Sequence, residues 1–165
     1  MVSILIFSSA LIALTAIAGK GIAATQDVSA ETTAHYLAQE GLEVVRNIRD
    51  TNFIAGANVP WDSGFGSGSI VCLKTSPCQV DYGTGGSAPT LITPCLVTGC
   101  PVEEDATDDT FKNGGTPSGF SREVYVSQAT PYQPYEYLVT SVVTWNQKTV
   151  PRSVTLQTVL TEWQQ

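Results

Sequence analysis

The sequence predicts an α+β protein in which a long N-terminal helical spine packs on a small antiparallel β-sheet head. Three observations predict this arrangement. In residues 1–53 an apolar run passes without a break into a segment of helical periodicity, and no proline precedes Pro60. Residues 120–165 alternate apolar and polar side chains and are rich in β-branched residues. The segment between them is dense in Gly, Pro, Ser and Thr and holds all four cysteines. It predicts a loop-rich region stapled by disulfides.

The first half of the helix, residues 1–26, is apolar or small on every face. Between Val2 and Ala24 the only charged residue is Lys20. At about 1.5 Å of rise per residue, this stretch matches the hydrocarbon core of a bilayer, which is about 30 Å thick. A secretory signal peptide would also explain the small residues of this run, but such peptides carry a basic segment that this sequence lacks. A plain single-span membrane anchor is the stronger alternative.

The second half of the helix, residues 27–53, is amphipathic. Its polar face carries Gln39, Glu40, Glu43, Arg46, Asn47 and Asp50, with Glu43/Arg46 and Arg46/Asp50 spaced for ion pairs. The opposite face follows the spacing i, i+3, i+4, i+7 from Ala34 to Ile48. We expect this apolar stripe to cover the sheet through a helix–sheet core of Leu37, Gly41, Val44, Val45 and Ile48.

Residues 54–119 have little periodicity, and turn residues dominate them. Short strands are predicted at Ser69–Leu73 and Gln79–Tyr82. A long loop region inside a compact domain is expected either to carry function or to be held by crosslinks. Four cysteines allow three pairings, of which the local one, Cys72–Cys78 with Cys95–Cys100, is favoured. Structural zinc is an alternative, but its ligand spacing fits only one of the two pairs. We therefore predict no cofactor and no metal.

An acidic cluster in the same region raises a calcium hypothesis. Its five carboxylates are Glu103, Glu104, Asp105, Asp108 and Asp109. Hard cations take several oxygen ligands, but the spacing does not match the Asp/Asn pattern of a calcium-binding hand. A solvated acidic loop is the favoured interpretation.

Residues 120–165 predict an antiparallel meander. In the first strand Phe120, Arg122, Val124 and Val126 share one face, and further strands are expected at Tyr137–Trp145 and Arg152–Trp163 with NQKTVP as the turn between them. Trp145 and Trp163 are interpreted as packing residues near the sheet edge.

Composition and motifs disfavour several classes of function. The net charge of −7 and the absence of basic runs argue against direct binding of nucleic acid. A single histidine, His35, offers no hydrolytic triad, and no glycine-rich stretch matches a phosphate-binding fingerprint. We do not expect an enzyme. Four cysteines suit an oxidising compartment.

The chain resembles bacterial type IV pilins and other prepilin-type proteins. Three segments carry the likeness: the apolar N-terminal run, YLAQEGLEVVRNIRDTNF (Tyr36 to Phe53), and the strand-rich tail from GFSREVYV to SVTLQTVLTEW. Such proteins usually begin with a basic leader, a Gly before the cleavage site, an N-methylated Phe and a Glu a few residues later. None of these occurs here, so the resemblance implies that the leader and the first residues of the mature motif are missing from this sequence.

The resemblance implies a filament subunit at the cell surface, held in the inner membrane before assembly and handled by a pilus or secretion machinery. Residues 1–26 would then leave the membrane and bundle into the core of a homo-oligomeric helical filament. The expected subunit-packing residues are Ile4, Leu5, Phe7, Leu11, Leu14, Ile17 and Ile22. Two alternatives stay open: a minor pilin or type II secretion pseudopilin present in few copies, and a single-span, membrane-tethered extracellular binding module. The role of such a filament, in adhesion, motility, DNA uptake or secretion, is not encoded in these patterns.

Overall fold

The structure of the chain, a computed structural model, describes residues 2–56, 58–68, 71–81, 91–95, 99–105, 111–112, 115–128 and 135–162. These residues form one helix and seven strands: α1 (Val2–Ala55), β1 (Cys78–Asp81), β2 (Leu91–Pro94), β3 (Pro101–Glu104), β4 (Phe111–Lys112), β5 (Thr116–Gln128), β6 (Glu136–Gln147) and β7 (Val150–Thr161). The predicted α+β class, with a long N-terminal helix, an antiparallel sheet and two disulfides, is confirmed.

The chain divides into two compact units, Met1–Thr33 and Ala34–Gln165. The first unit is the N-terminal part of α1. The second unit combines the rest of α1 with the sheet, and its interior contains the core described below.

β5 is the central strand of the sheet. Along one edge it pairs antiparallel with β6, from Phe120↔Trp145 to Gln128↔Tyr137, and β6 pairs in turn with β7. The opposite edge of β5 is shared, since β3 pairs with its first half and β1 pairs with it at Val124. β4 extends the sheet beyond β3, and β2 extends it beyond β1. The predicted meander therefore forms one side of a larger antiparallel sheet.

The segment 54–119 contributes more sheet than the sequence predicted. The strand expected at Gln79–Tyr82 lies within β1 as far as Asp81, and Tyr82 lies outside the described residues. The strand expected at Ser69–Leu73 is not found over residues 71–73, where Leu73 forms only an isolated bridge with Ser76; Ser69 and Ile70 lie outside the described residues. β2, β3 and β4, of two to four residues, were not predicted; their residues lie among turn residues and show no alternation that marks them as strands.

The β6–β7 hairpin turn lies within the predicted NQKTVP segment, but only two of its six residues form the loop. Gln147 pairs with Val150, which leaves Lys148 and Thr149 as the loop. Lys148 has a φ of 59°, the left-handed region that two-residue hairpin turns require and that glycine adopts without a steric penalty. The hairpin therefore imposes a strained backbone on an ordinary side chain.

The core of the second unit lies between the sheet and one face of α1. In one cluster Val44 and Val45 pack with residues that include Val139 of β6. In a second cluster Leu37 packs with residues that include Val143. All five side chains are at most 2% exposed, and burying an aliphatic side chain of this size contributes about 1.5–3 kcal/mol each. The amphipathic stripe of α1 is therefore the cover of the sheet.

Candidate functional site: the apolar helix surface

The large apolar side chains of the first unit are exposed. Of the seven predicted subunit-packing residues, the structure describes six side chains, which are 48–69% exposed: Ile4, Phe7, Leu11, Leu14, Ile17 and Ile22. The side chain of Leu5 lies outside the described part of the structure. An apolar surface of this extent in a protein marks a site of contact with a membrane or with another protein.

α1 contains a stretch of 18 residues that is long and apolar enough to cross a membrane, and 0% of it is buried. Several hydroxyl side chains of α1 are also suited to apolar surroundings. Ser9, Thr15 and Thr25 each donate to a carbonyl of the preceding turn at 2.9–3.0 Å, and Thr32 and Thr33 do so at 2.8 and 3.1 Å. Because these five donors are satisfied inside the helix, these hydroxyls can leave water without the cost of an unpaired hydrogen.

The helix–sheet interface of the second unit holds the remaining predicted helix residues. Leu37, Val44 and Val45 are buried, and Ile48 is partly buried against the same cluster. Gly41 is buried against β5 and β6: a Cβ atom there would lie 2.7 Å from the Ser141 Oγ. Such a contact is shorter than side-chain carbons normally tolerate, so any larger residue at this position would force Ser141 to shift.

A buried arginine joins the helix to the sheet. Arg122 of β5 is 4% exposed. Its Nη1 lies 2.9 Å from Glu40 Oε2 and donates to the Leu37 carbonyl at 3.2 Å, while Nη2 donates to the Val80 carbonyl at 2.7 Å. The guanidinium thus binds α1 and β1 at once, and charge-assisted bonds of this kind are among the strongest hydrogen bonds in proteins.

The prediction that Glu40 lies on the solvent-exposed polar face of α1 is wrong in part. The sequence pattern places it opposite the apolar stripe, but its side chain is 32% exposed and lies at the margin of the interface, paired with Arg122. The alternation of β5 had placed Arg122 on the buried face, and a charge at such a position requires a partner. The need of the buried Arg122 for a partner could therefore have indicated that an acidic residue of α1 faces the sheet.

The surface ion pairs of α1 agree only in part with the spacing. The predicted Glu43–Arg46 pair is present. Asp50, predicted to pair with Arg46, instead pairs with its neighbour Arg49 at 2.8 Å, while Arg46 Nη2 lies 3.5 Å from the Thr158 hydroxyl of β7. The partly exposed guanidinium of Arg46 therefore has a second partner on the sheet, the Thr158 hydroxyl, in place of Asp50.

Both predicted disulfides, Cys72–Cys78 and Cys95–Cys100, are present, with Cα–Cα distances of 5.3 and 5.0 Å. Cys72 and Cys78 are buried in the larger core cluster, and the Cys72 carbonyl accepts a bond from the Val126 amide at 2.7 Å. The disulfide therefore ties the loop region to β5.

The remaining predicted positions are dispersed over the chain. His35 is exposed on α1. Trp145 packs against Phe120 with ring centroids 6.1 Å apart, whereas Trp163 lies outside the described residues. In the acidic cluster the Gly115 amide donates to Glu103 Oε2 at 2.7 Å, and Asp108 and Asp109 lie outside the described residues.

No family model, curated protein or solved structure matches the chain. The coarse architecture, a long apolar N-terminal helix, an antiparallel sheet and a pair of disulfides, is compatible with a pilin-like fold. The feature with the clearest functional meaning is the exposed apolar surface of α1.

Proposed function

We propose that this protein is a structural subunit of an extracellular type IV pilus filament, assembled by packing of the N-terminal helices of many copies. The observation that carries the proposal is the exposure of the large apolar side chains between Val2 and Ile22, on a helix segment in which the Ser9 and Thr15 hydroxyls donate to carbonyls of the same helix. Before assembly, the same surface would be covered by the lipids of the inner membrane.

Small residues on the same segment support helix packing in addition to lipid contact. Ala10, Ala13, Ala16 and Ala18 are all exposed and interrupt the larger side chains. Lipid chains are as apolar as leucine, so the helices gain little hydrophobic free energy by leaving them; close van der Waals packing through small residues supplies the attraction instead. Head-to-tail contacts that do not close into a ring then give an open helical filament.

The second unit suits the exterior of such a filament. It holds both disulfides, which persist in oxidising compartments. The acidic balance of the sequence, −7 overall, favours solubility of an exposed surface. A structural role in assembly also fits a chain for which the sequence predicts no catalytic residues.

Electron microscopy of sheared cell-surface material, combined with mass spectrometry, tests the proposal. Uniform thin filaments composed mostly of this chain are the expected result. Filaments in which the chain is present only in trace amounts would replace the proposal with a minor pilin or pseudopilin. Recovery of the chain from the membrane fraction alone would replace it with a membrane-tethered module.

A pair of variants at one position tests the role of the helix surface. Ala13→Trp places a large ring where close helix approach is required, so we expect normal membrane insertion but loss of filaments. Ala13→Ser keeps a small side chain whose hydroxyl can bond within the helix, as Ser9 and Thr15 do, and should assemble normally. Normal polymerisation of Ala13→Trp would contradict assembly through this surface.

A further inference from the structure

The charged residues of the first unit share one face of α1. Residues 2–33 contain three charged side chains, Lys20, Asp27 and Glu31. All of these residues lie in the helix; Lys20 and Glu31 are exposed, and Asp27 is half-buried. With 3.6 residues per turn, separations of seven and eleven residues place Asp27 and Glu31 each about 20° from Lys20, on opposite sides of it, so the three side chains span about 40°. One stripe of an otherwise uncharged segment therefore carries a cation followed by two anions.

The spacing along the axis suits pairing between helices better than pairing within one helix. Seven residues correspond to about 10.5 Å of rise, whereas side chains pair within a helix at separations of three or four residues. A charge in apolar surroundings is costly unless it has a partner. Lys20 therefore needs a carboxylate from elsewhere when lipid headgroups and water are replaced by neighbouring helices.

The axial displacement of two parallel copies decides which charges meet. Without displacement, Lys20 faces Lys20 and each carboxylate faces its own counterpart, which is repulsive. A displacement of four residues brings Asp27 against Glu31, again with like charges. A displacement of seven residues brings Lys20 against Asp27, and one of eleven residues brings it against Glu31. Of these two, seven residues is the repeat that stays on the seam of left-handed helix packing.

We propose that α1 of one copy packs parallel to α1 of a second copy displaced by seven residues, about 10.5 Å, so that Lys20 pairs with Asp27 of its neighbour. This inference rests on the proposed function and adds the register of the assembly to it. Opposite charges 4 Å apart attract several-fold more strongly at the effective dielectric constant of a protein than in water. The pair thereby selects one displacement among those that the apolar side chains alone would permit.

Charge exchange tests this register in the full chain. Lys20→Glu and Asp27→Lys each place like charges opposite one another and should lower the yield of filaments by about tenfold or more. The double variant Lys20→Glu/Asp27→Lys restores opposite charges and should recover filaments, and Lys20→Arg should assemble normally. Recovery in Lys20→Glu/Glu31→Lys but not in the Asp27 double variant would overturn the seven-residue displacement.

Cysteine crosslinking measures the same displacement directly. A disulfide requires Cα atoms within about 4.4–6.8 Å, so oxidised Lys20→Cys/Asp27→Cys filaments should yield a ladder of covalent multimers that reductant removes. Lys20→Cys/Glu31→Cys filaments should yield none. If the wild-type chain forms filaments but the two cysteine variants show the opposite crosslinking pattern, this inference is overturned and the proposed function stands. Absence of wild-type filaments would overturn both.

Discussion

Replacing Arg122 by alanine removes a buried guanidinium that bonds to α1 and β1 at the centre of the second unit. The side chain is 4% exposed and has three partners: Glu40 Oε2 at 2.9 Å, the Leu37 carbonyl at 3.2 Å and the Val80 carbonyl at 2.7 Å. The variant leaves these acceptors without their donor and leaves a void where the aliphatic stem was. We expect a large loss of stability.

The size of the expected stability loss depends on how deeply Arg122 and Glu40 are buried. Breaking a buried ion pair by removing one member costs about 3–5 kcal/mol. The side chain of Glu40 is 32% exposed, so its carboxylate can regain water, and the lower end of that range, about 3 kcal/mol, is expected. For a unit of this size, where 1 kcal/mol shifts the midpoint by about 4 °C, the melting temperature should fall by about 12 °C.

Two further variants separate the contribution of the hydrogen bonds and the charge from that of the packed aliphatic stem. Arg122→Met keeps the apolar stem but loses the donors, and should cost about 2 kcal/mol. Glu40→Gln keeps an acceptor for the guanidinium and should cost about 1 kcal/mol. Arg152→Ala is the matched control, because Arg152 is exposed on β7, and should change the free energy of unfolding by no more than about 0.5 kcal/mol.

The assay is chemical and thermal unfolding of the full, disulfide-bonded chain in detergent, followed by near-ultraviolet circular dichroism. The predicted order of destabilisation is Arg122→Ala, Arg122→Met, Glu40→Gln, Arg152→Ala. If Arg122→Ala were no less stable than Arg152→Ala, the argument that Arg122 holds the helix to the sheet would be refuted.

Three further changes should alter the stability of the second unit in the same assay. Gly41→Ala should cost about 1–2 kcal/mol, because its new methyl group would lie 2.7 Å from Ser141 Oγ and overpacking outweighs the gain in helix propensity. Adding Ser141→Ala should recover part of that loss, because it removes the closest clashing atom, a buried hydroxyl with no hydrogen-bond partner among the described residues. Lys148→Gly should stabilise the chain by up to about 1 kcal/mol by relieving the φ of 59°. The double variant Cys72→Ala/Cys78→Ala should cost about 2–3 kcal/mol through the lost loop constraint.

Controls for these changes come from the same chain. Gly21→Ala lies in a helical position where a Cβ atom meets nothing within 4 Å, so it should not destabilise. Thr149→Gly should not stabilise, because Thr149 is not among the residues with positive φ. A destabilising Lys148→Gly variant would contradict the assignment of strain to that residue. Equal stability of the reduced and oxidised wild-type chain would contradict the predicted contribution of Cys72–Cys78.

The regular elements could be predicted because their patterns repeat over many residues. The stripe from Leu37 to Ile48 has the helical period over several turns, and β5–β7 have twelve or thirteen residues each with period-two alternation. The local disulfides followed from short cysteine spacing. Strands β2–β4 were not predictable in this way, since their formation depends on pairing with the edge of β5 and β1, not on local propensity.

The loop region also contains a buried aromatic cluster that its composition concealed. Phe65 is 0% exposed inside a glycine- and serine-rich run, and its ring lies 6.0 Å from that of Trp61 and 6.3 Å from that of Tyr137. The Tyr137 hydroxyl donates to Asp62 Oδ2 at 3.1 Å, which fixes the turn on β6. Two large aromatic residues in a segment of turn residues were the available signal, because such side chains bury 150–250 Å² each and rarely lack a partner.

The two parts of α1 illustrate different kinds of specificity. Around Gly41 the fit is geometric: three side-chain atoms of the sheet lie within 3.3 Å of the position that a Cβ atom would take. From Val2 to Ile22 the exposed side chains are almost uniformly apolar, and lipid and a neighbouring helix offer them similar surroundings. Hydrophobicity alone therefore sets no register for this segment. In the proposed filament, the register would come from the residues that are not large and apolar, namely the alanines that permit close approach and Lys20, for which the proposed displacement of seven residues would supply a carboxylate.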